Sequence, residues 1–249
     1  MLINDIRIYG LDQLVDRVIS VTPSLKTLKP QRFDDIATRF ALALRSQNFD
    51  CGPGDICHLE LAFNFPHGMV EPQWSGRCRK YTCGVDRIQF ANSDEIAKDT
   101  FFIDAIYAML MSISAYEKLA DSLITQTRDQ LVTQGAALEI VRRQQENQKY
   151  NVAVLYTVGQ PSKFILSGTQ KDSLVTSKLI VLELDDVDDI FMLAGRLVLK
   201  SKTIAIYPRK TELAYQTMDR YLNRLRDNGF CLERDDFIEI SIKRLFDNI

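Results

Sequence analysis

Cysteine and histidine are the residue types whose clustering in this chain most directly suggests chemistry. Four of the five cysteines lie between positions 51 and 83, and both histidines, His58 and His67, lie there too. Thiolate and imidazole are ligands that zinc prefers in proteins. A structural zinc site is therefore one hypothesis for this region. The other is that the thiols are free and pack as small hydrophobic side chains.

Ligand spacing and strand geometry favour free thiols. The paired cysteines are separated by five and four residues, whereas zinc ligands usually pair across a short, tight turn. Alternating apolar side chains predict a strand over 58–65, and a second strand over about 79–90 is expected to pair back onto it. In that hairpin Cys57 and Cys78 lie at opposite ends, more than about 20 Å apart at about 3.3 Å per residue.

Carboxylates are concentrated in one short segment of the second half of the chain. The cluster comprises Glu183, Asp185, Asp186, Asp188 and Asp189. Several carboxylate oxygens could hold Mg²⁺ in an enzyme, and an acidic surface could bind a basic partner. The simplest interpretation is a strand end followed by a helix start, where aspartate caps backbone N–H groups. The cluster is also a candidate site for binding a partner.

A second partner-binding candidate is a loop rich in aromatic residues and proline. We expect an irregular loop over 66–77, with His67, Met69 and the chain's only tryptophan, Trp74, as candidate contact residues. Long loops often carry recognition, and tryptophan often anchors interfaces. The alternative is that Trp74 fills the core beneath the loop.

Catalytic and cofactor-binding motifs do not occur in the sequence. It contains neither Gly-x-Ser-x-Gly nor the glycine-rich patterns that cradle phosphate groups. Cys57 and His58 are neighbours on the predicted strand, so their side chains point to opposite faces and cannot form a catalytic pair. We therefore expect no catalytic residue, no bound metal and no cofactor, and we predict a protein that is not an enzyme.

Hydrophobic periodicity predicts an α+β (or α/β) fold in two parts. Residues 1–149 are expected to form a helix-rich part with a β-hairpin, ending in a long glutamine-rich helix over 119–147. Residues 150–249 are expected to form an α/β domain with a mixed sheet flanked by helices. Further elements predicted from the same periodicity are helices at 11–20, 32–46, 94–111, 187–199 and 209–228, and strands at 203–207 and 237–242.

The most apolar run of the second part predicts a central strand. Residues 178–184 contain Leu-Ile-Val-Leu without alternation, a pattern typical of a strand that is covered on both faces. A strand of this kind would lie in the interior of the sheet. Gly195 falls inside the predicted helix 187–199, and we interpret it as a point of close packing.

Composition limits the classes of partner and of cellular location. The chain has 249 residues, of which 46% are hydrophobic, and a formal net charge of −2. Near-neutral charge gives no global field for nucleic acid, so we expect none to bind. No apolar run is long enough for a membrane span, and no secretory signal is recognised. We expect a cytoplasmic protein that does not insert into membranes. The sequence leaves the oligomeric state open.

Several segments together resemble one family of bacterial proteins. They are a helical N-terminal part, a hairpin with a Phe-Asn-Phe-Pro-type loop, the strand ending Asp86-Arg-Ile-Gln-Phe-Ala-Asn-Ser, the helix 94–111, the segment 188–196 and the segment 202–208. This layout resembles that of immunity proteins of polymorphic or contact-dependent toxin systems. The resemblance implies a cytoplasmic, non-enzymatic toxin inhibitor that binds and neutralises a cognate toxin through protein–protein interaction. A metal-dependent enzyme using residues 185–189, and a homo-oligomeric module built on the glutamine-rich helix, are the alternatives.

The hypothesis of free thiols makes a direct prediction about metal content. Protein purified without chelator is expected to contain no zinc, because the spacing and strand geometry keep the thiols apart. Elemental analysis by mass spectrometry is the measurement. About one zinc per chain, lost in the variant Cys57→Ser, would contradict the hypothesis.

Overall fold

The structure is a computed structural model that divides into two compact units. It describes residues 2–3, 5–9, 31–52, 56–67, 70–75, 78–117, 120–233 and 237–247. The first unit spans Met1–Leu138 and the second Glu139–Ile249. The division therefore falls earlier in the chain than residue 150. The predicted helix at 11–20 lies outside the described residues.

The first unit combines a four-stranded sheet with helices. Its elements are β1 (Asp5–Tyr9), α1 (Gln31–Ser46), β2 (Ile56–His67), β3 (Val70–Ser75), β4 (Cys78–Gly84), α2 (Arg87–Asn92), α3 (Glu95–Glu117) and α4 (Asp121–Gln134). The strand order is β1-β2-β4-β3. The expected helices at 32–46 and 94–111 are confirmed as α1 and α3, because their apolar residues recur at helical spacing and are buried.

The predicted antiparallel hairpin in this unit is wrong. Strand β3 forms within the segment expected to be a loop. Strand β4 lies between β2 and β3, where it pairs antiparallel with β3 and parallel with β2. Cys78 therefore pairs with Ile56, next to Cys57, and the expected separation of more than about 20 Å does not exist. Strand β4 also ends at Gly84 rather than near residue 90, because the Asp86 side chain accepts a hydrogen bond from the Gln89 N–H (2.9 Å) and starts α2.

Aromatic side chains fill the core of the first unit. The rings of Phe33 in α1 and Phe102 in α3 lie 4.0 Å apart, and Phe90 of α2 contacts both. Helix α4 packs beside them through Ile124 and Leu131, which are buried. Burial of these large side chains on several helices is the main source of stability in this unit.

The second unit contains two four-stranded sheets and three helices among its described residues. Its elements are β5 (Ile140–Glu146), β6 (Tyr150–Tyr156), β7 (Ser162–Gln170), β8 (Thr176–Leu184), α5 (Asp189–Leu193), β9 (Arg196–Leu199), β10 (Thr203–Tyr207), α6 (Glu212–Asp227), β11 (Cys231–Glu233), β12 (Phe237–Ser241) and α7 (Ile242–Phe246). The strand orders are β5-β6-β7-β8 and β11-β12-β10-β9, with antiparallel pairing throughout these described strands. The fold is α+β, as predicted.

The predicted glutamine-rich helix over 119–147 is only half correct. Helix α4 ends at Gln134 because Gly135 adopts φ = 53°, a left-handed conformation that favours glycine. A short 3₁₀ turn follows, and the chain then enters β5. Two of the glutamines stabilise this strand: Gln144 donates to the Asn151 side chain (3.0 Å), and Gln145 accepts from the Leu199 N–H (2.9 Å).

The prediction of a central strand at 178–184 is also wrong. Among the described strands, β8 pairs only with β7 and therefore lies at the edge of its sheet. Its apolar run reflects a register shift at Val181, which lets Val181 and Leu182 both be buried. The Val181 carbonyl accepts a hydrogen bond from the Asn228 side chain (3.1 Å), so a residue that follows α6 covers this part of the edge.

The expected helix over 187–199 is shorter than predicted, and α6 is confirmed. Helix α5 ends at Leu193, and β9 begins after a close approach of two backbone segments at Gly195. A Cβ atom at Gly195 would lie 2.7 Å from the Arg209 backbone nitrogen. Helix α6, β10 and β12 occupy the predicted ranges at 209–228, 203–207 and 237–242.

Among the described residues, no helix combines the length and apolar composition that a membrane span requires.

The close approach at Gly195 predicts a strong sensitivity to alanine. Gly195→Ala is expected to lower the free energy of unfolding by about 1–3 kcal/mol, because the new methyl group meets rigid backbone. Urea unfolding followed by circular dichroism is the measurement. Gly168→Ala is the control, because its Cβ would meet the movable tips of Leu245 and Phe246. An equal or smaller loss in Gly195→Ala would contradict the prediction.

Candidate functional site

The acidic cluster forms a structured turn between β8 and α5. We define the acidic turn as residues 183–189. Within it, the Asp186 carboxylate accepts a hydrogen bond from the Asp188 N–H (2.9 Å). This local bond brings the chain out of β8 and into α5, which begins at Asp189. The interpretation of the cluster as a strand end followed by a helix start therefore agrees with the backbone.

One carboxylate of the turn is buried and faces α6. Asp189 is only 8% exposed and accepts hydrogen bonds from the Tyr221 hydroxyl (2.7 Å) and the Arg220 guanidinium (3.0 Å). The Tyr221 hydroxyl oxygen in turn accepts from the Asp185 N–H (2.9 Å). Tyr221 is itself fully buried. A chain of hydrogen bonds thus joins Asp185 and Asp189 of the turn to one tyrosine.

A second ion pair attaches the start of the turn to the same helix. Arg224 pairs with Asp185 at 3.0 Å, and its guanidinium lies 5.4 Å from the centre of the Tyr221 ring. Both members of this pair are more than half exposed, so its net contribution is small, about 0–1 kcal/mol. Two of the five predicted carboxylates are therefore engaged with arginines of α6. Glu183, Asp186 and Asp188 remain exposed to solvent.

The environment of Tyr221 changes its acidity. Burial, together with the hydrogen bond to Asp189, raises the pKa of Tyr221 to about 12. The hydrogen bond and the charge of Asp185 also raise the pKa of Arg224. At neutral pH Tyr221 is therefore a neutral donor towards Asp189. Each of Asp185 and Asp189 already has an arginine as its counter-charge, which disfavours a cation at either carboxylate.

The structure places the other candidate residues in the first unit. His67 is the last residue of β2 and pairs with Gly84 after an irregularity in the strand. Trp74 lies in β3 opposite Arg79, within a strand rather than an irregular loop. Met69 lies outside the described residues. The acidic turn belongs to the second unit, so the two candidate surfaces are on different units.

The cysteine-rich segment contains thiols in a buried environment. Cys51, Cys57 and Cys83 are buried and free of disulfides. Burial raises the pKa of the Cys51 and Cys83 thiols, although the charge of Arg79 acts in the opposite direction at Cys51. A raised pKa favours the neutral thiol over the thiolate that metals bind. Within the described ranges, no three His, Cys, Asp or Glu side chains come together as a metal site.

Sequence reasoning missed the role of the α6 residues that hold the turn. Arg220, Tyr221 and Arg224 lie within about one helical turn of α6, whereas the sequence analysis predicted only a helix over 209–228 and assigned none of them a role. The phenol of Tyr221 could have indicated this role, because a buried tyrosine hydroxyl almost always needs a hydrogen-bond partner.

Comparison of the chain with protein-family models, with curated proteins and with solved structures gives no match.

The network predicts that loss of one hydroxyl destabilises the second unit. Tyr221→Phe is expected to lower the free energy of unfolding at pH 7 by about 1–3 kcal/mol, because the buried Asp189 carboxylate loses one of its two side-chain donors and the Asp185 N–H loses its acceptor. Because the pKa of Tyr221 is raised, the stabilisation by its hydroxyl also depends on pH. Stabilisation by neutral Tyr221 is complete below pH about 10 and is lost as pH rises towards 12.

Chemical denaturation at pH 7, 9, 10 and 11 measures both effects. The wild-type chain is expected to lose more stability between pH 9 and 11 than Tyr221→Phe does. Tyr215→Phe, at an exposed position on the same helix, is the control and is expected to behave as wild type. Parallel alkaline profiles for all three proteins would contradict the role of Tyr221.

Proposed function

We propose that this chain is a non-enzymatic binding protein that neutralises a cognate bacterial toxin by direct contact, as an immunity protein does. The observation that carries the proposal is the acidic turn held on α6 by the buried Asp189–Tyr221 pair. A surface that is already ordered loses little conformational entropy when a partner binds. A buttressed turn with outward carboxylates is therefore well suited to rigid recognition.

The charges at the turn define the chemistry of the partner. Glu183 and Asp186 are exposed, and no ion pair of the described residues involves either of them. The half-exposed guanidinium groups of Arg220 and Arg224 are bound to two other carboxylates of the turn, Asp189 and Asp185 respectively. A partner for this surface carries basic side chains opposite the turn. Such complementarity mainly raises the rate of association and the specificity of the complex.

Two alternative functions have less support from the geometry. A metal-dependent enzyme would use the carboxylates of residues 185–189, yet Asp185 and Asp189 are each engaged with an arginine, and among the described residues no three possible ligands come together. A homo-oligomer built on the glutamine-rich helix would use α4, whose buried side chains are already packed within the first unit. For example, Thr127 of α4 accepts a hydrogen bond from Gln47, which follows α1 (3.1 Å). The binding function is therefore the stronger proposal.

Affinity capture from the native organism tests the proposal. Tagged chain is used as bait, and the captured proteins are identified by mass spectrometry. A single partner at about one copy per chain, whose toxicity is suppressed when the two are produced together, would support an immunity function. Turnover of a metabolite by the chain alone would support an enzyme instead, and absence of any stoichiometric partner would contradict the proposal.

Charge reversal at the turn is expected to slow association. Glu183→Lys and Asp186→Lys, tested separately, are each expected to reduce the association rate about threefold to tenfold at low salt, with the effect shrinking at 0.5 M salt. Surface plasmon resonance with the captured partner is the measurement. Asp129→Lys makes the same change in net charge on α4 of the other unit and is expected to leave the rate nearly unchanged. Equal effects in all three variants would contradict the use of the turn.

A further inference from the structure

Leu174, in the hairpin that joins β7 to β8, has a positive backbone φ angle, which is unusual for leucine. Two non-glycine residues of the described chain have positive φ, Asn48 at 58° and Leu174 at 57°. Asparagine tolerates this left-handed conformation, whereas leucine does so only at a cost in free energy. Leu174 is also 77% exposed, so no burial of its side chain offsets that cost. Strain of this kind persists where the surroundings impose it, and it often marks functional sites.

Hydrogen bonds fix the hairpin around this leucine. We define the hairpin tip as residues 171–175. The Gln170 N–H donates to the Val175 carbonyl (2.9 Å), and the Leu174 N–H donates to the Gln170 carbonyl (2.8 Å). The Ser173 hydroxyl donates to the Gln170 side chain (3.0 Å), and Lys171 pairs with Glu146 of β5 (2.7 Å). The tip is therefore held in one conformation, with Leu174 projecting into solvent.

A continuous exposed stripe connects the hairpin tip with the acidic turn. Along β8, Thr176, Lys178, Ile180 and Glu183 are exposed. The register shift at Val181 places Glu183 on the same face of the sheet as Ile180, although the two are three residues apart. Ile180, at the middle of the stripe, is 49% exposed. Nine residues of strand span about 30 Å, which is close to the width of a standard protein–protein interface.

We propose that the partner-binding surface extends from the acidic turn along the outer face of β8 to Leu174, which inserts as an apolar anchor into a pocket on the partner. This inference rests on the proposed function and specifies the partner's surface. That surface has basic side chains opposite the turn and an apolar pocket about 30 Å away. Rigid presentation of Leu174 lowers the entropic cost of inserting it. The chain thus retains a strained residue because binding needs its side chain.

The proposal predicts that one substitution improves stability and weakens binding. Leu174→Gly relieves the strain, so the thermal midpoint is expected to rise by about 3 °C. The same variant removes the anchor, so it is expected to bind the captured partner at least about tenfold more weakly, mostly through faster dissociation. Ile180→Thr, which keeps a β-branched side chain at the edge strand, is expected to weaken binding less.

Two matched controls separate these effects from general ones. Asn48→Gly changes the other left-handed residue, and Val132→Thr changes an apolar residue of α4 that is as exposed as Ile180. Both are expected to bind as wild type. The binding probe is the purified partner recovered with the wild-type chain, and differential scanning calorimetry gives the thermal midpoints.

The outcomes distinguish this inference from the proposed function. If no stoichiometric partner is recovered, the proposed function fails and this inference fails with it. If a partner binds and Glu183→Lys slows its association, but Leu174→Gly and Ile180→Thr bind as wild type, only the extended surface is overturned. A thermal midpoint for Leu174→Gly at or below that of wild type would overturn the claim of strain.

Discussion

Burial of the Asp189 carboxylate is the constraint on which the acidic turn depends. An unpaired charge in the protein interior costs several kcal/mol, so the fold must supply partners at this point. Tyr221 and Arg220 provide them from α6, and the same phenol then accepts the Asp185 N–H. The start of α5, the turn before it and one face of α6 are thereby fixed relative to one another. Removal of the Tyr221 hydroxyl takes one of its two side-chain donors from the buried Asp189 and takes the acceptor from the Asp185 N–H, which is more costly than the loss of an exposed ion pair.

The edge position of β8 connects this network with the proposed binding surface. An exposed edge strand invites uncontrolled pairing with other chains, and proteins limit that risk with bulges and covering groups. Here the register shift at Val181 and the hydrogen bond from Asn228 serve this purpose on the hydrogen-bonding side. They leave the outer face of the strand accessible to solvent. The edge is thus protected from β-pairing while its side chains, from Leu174 to the acidic turn, stay available to a partner.

Local patterns predicted three of the helices well, two others only in part, and the strand pairing poorly. The spacing of apolar side chains was sufficient to predict α1, α3 and α6, because each of these helices buries the face that carries its regularly spaced apolar residues. The segment 140–146 was misjudged because its glutamines and arginines carry no apolar period. The parallel pairing of β2 with β4 depends on β3, which looked like a loop. The Asp189–Tyr221 bond joins residues 32 positions apart, so composition identified the acidic cluster but could not distinguish its buried carboxylate from its exposed ones.

Amide hydrogen exchange at Asp185 tests the central claim most directly. In the structure this N–H donates to the buried Tyr221 hydroxyl, so it is protected only while the turn is held on α6. Exchange measured by NMR is expected to be slow for Asp185 in the wild-type chain. In Tyr221→Phe it is expected to become at least tenfold faster, with amides in the middle of α6 still protected. Fast exchange at Asp185 in the wild type, or no change in the variant, would contradict the claim that the Asp189–Tyr221 pair orders the acidic turn.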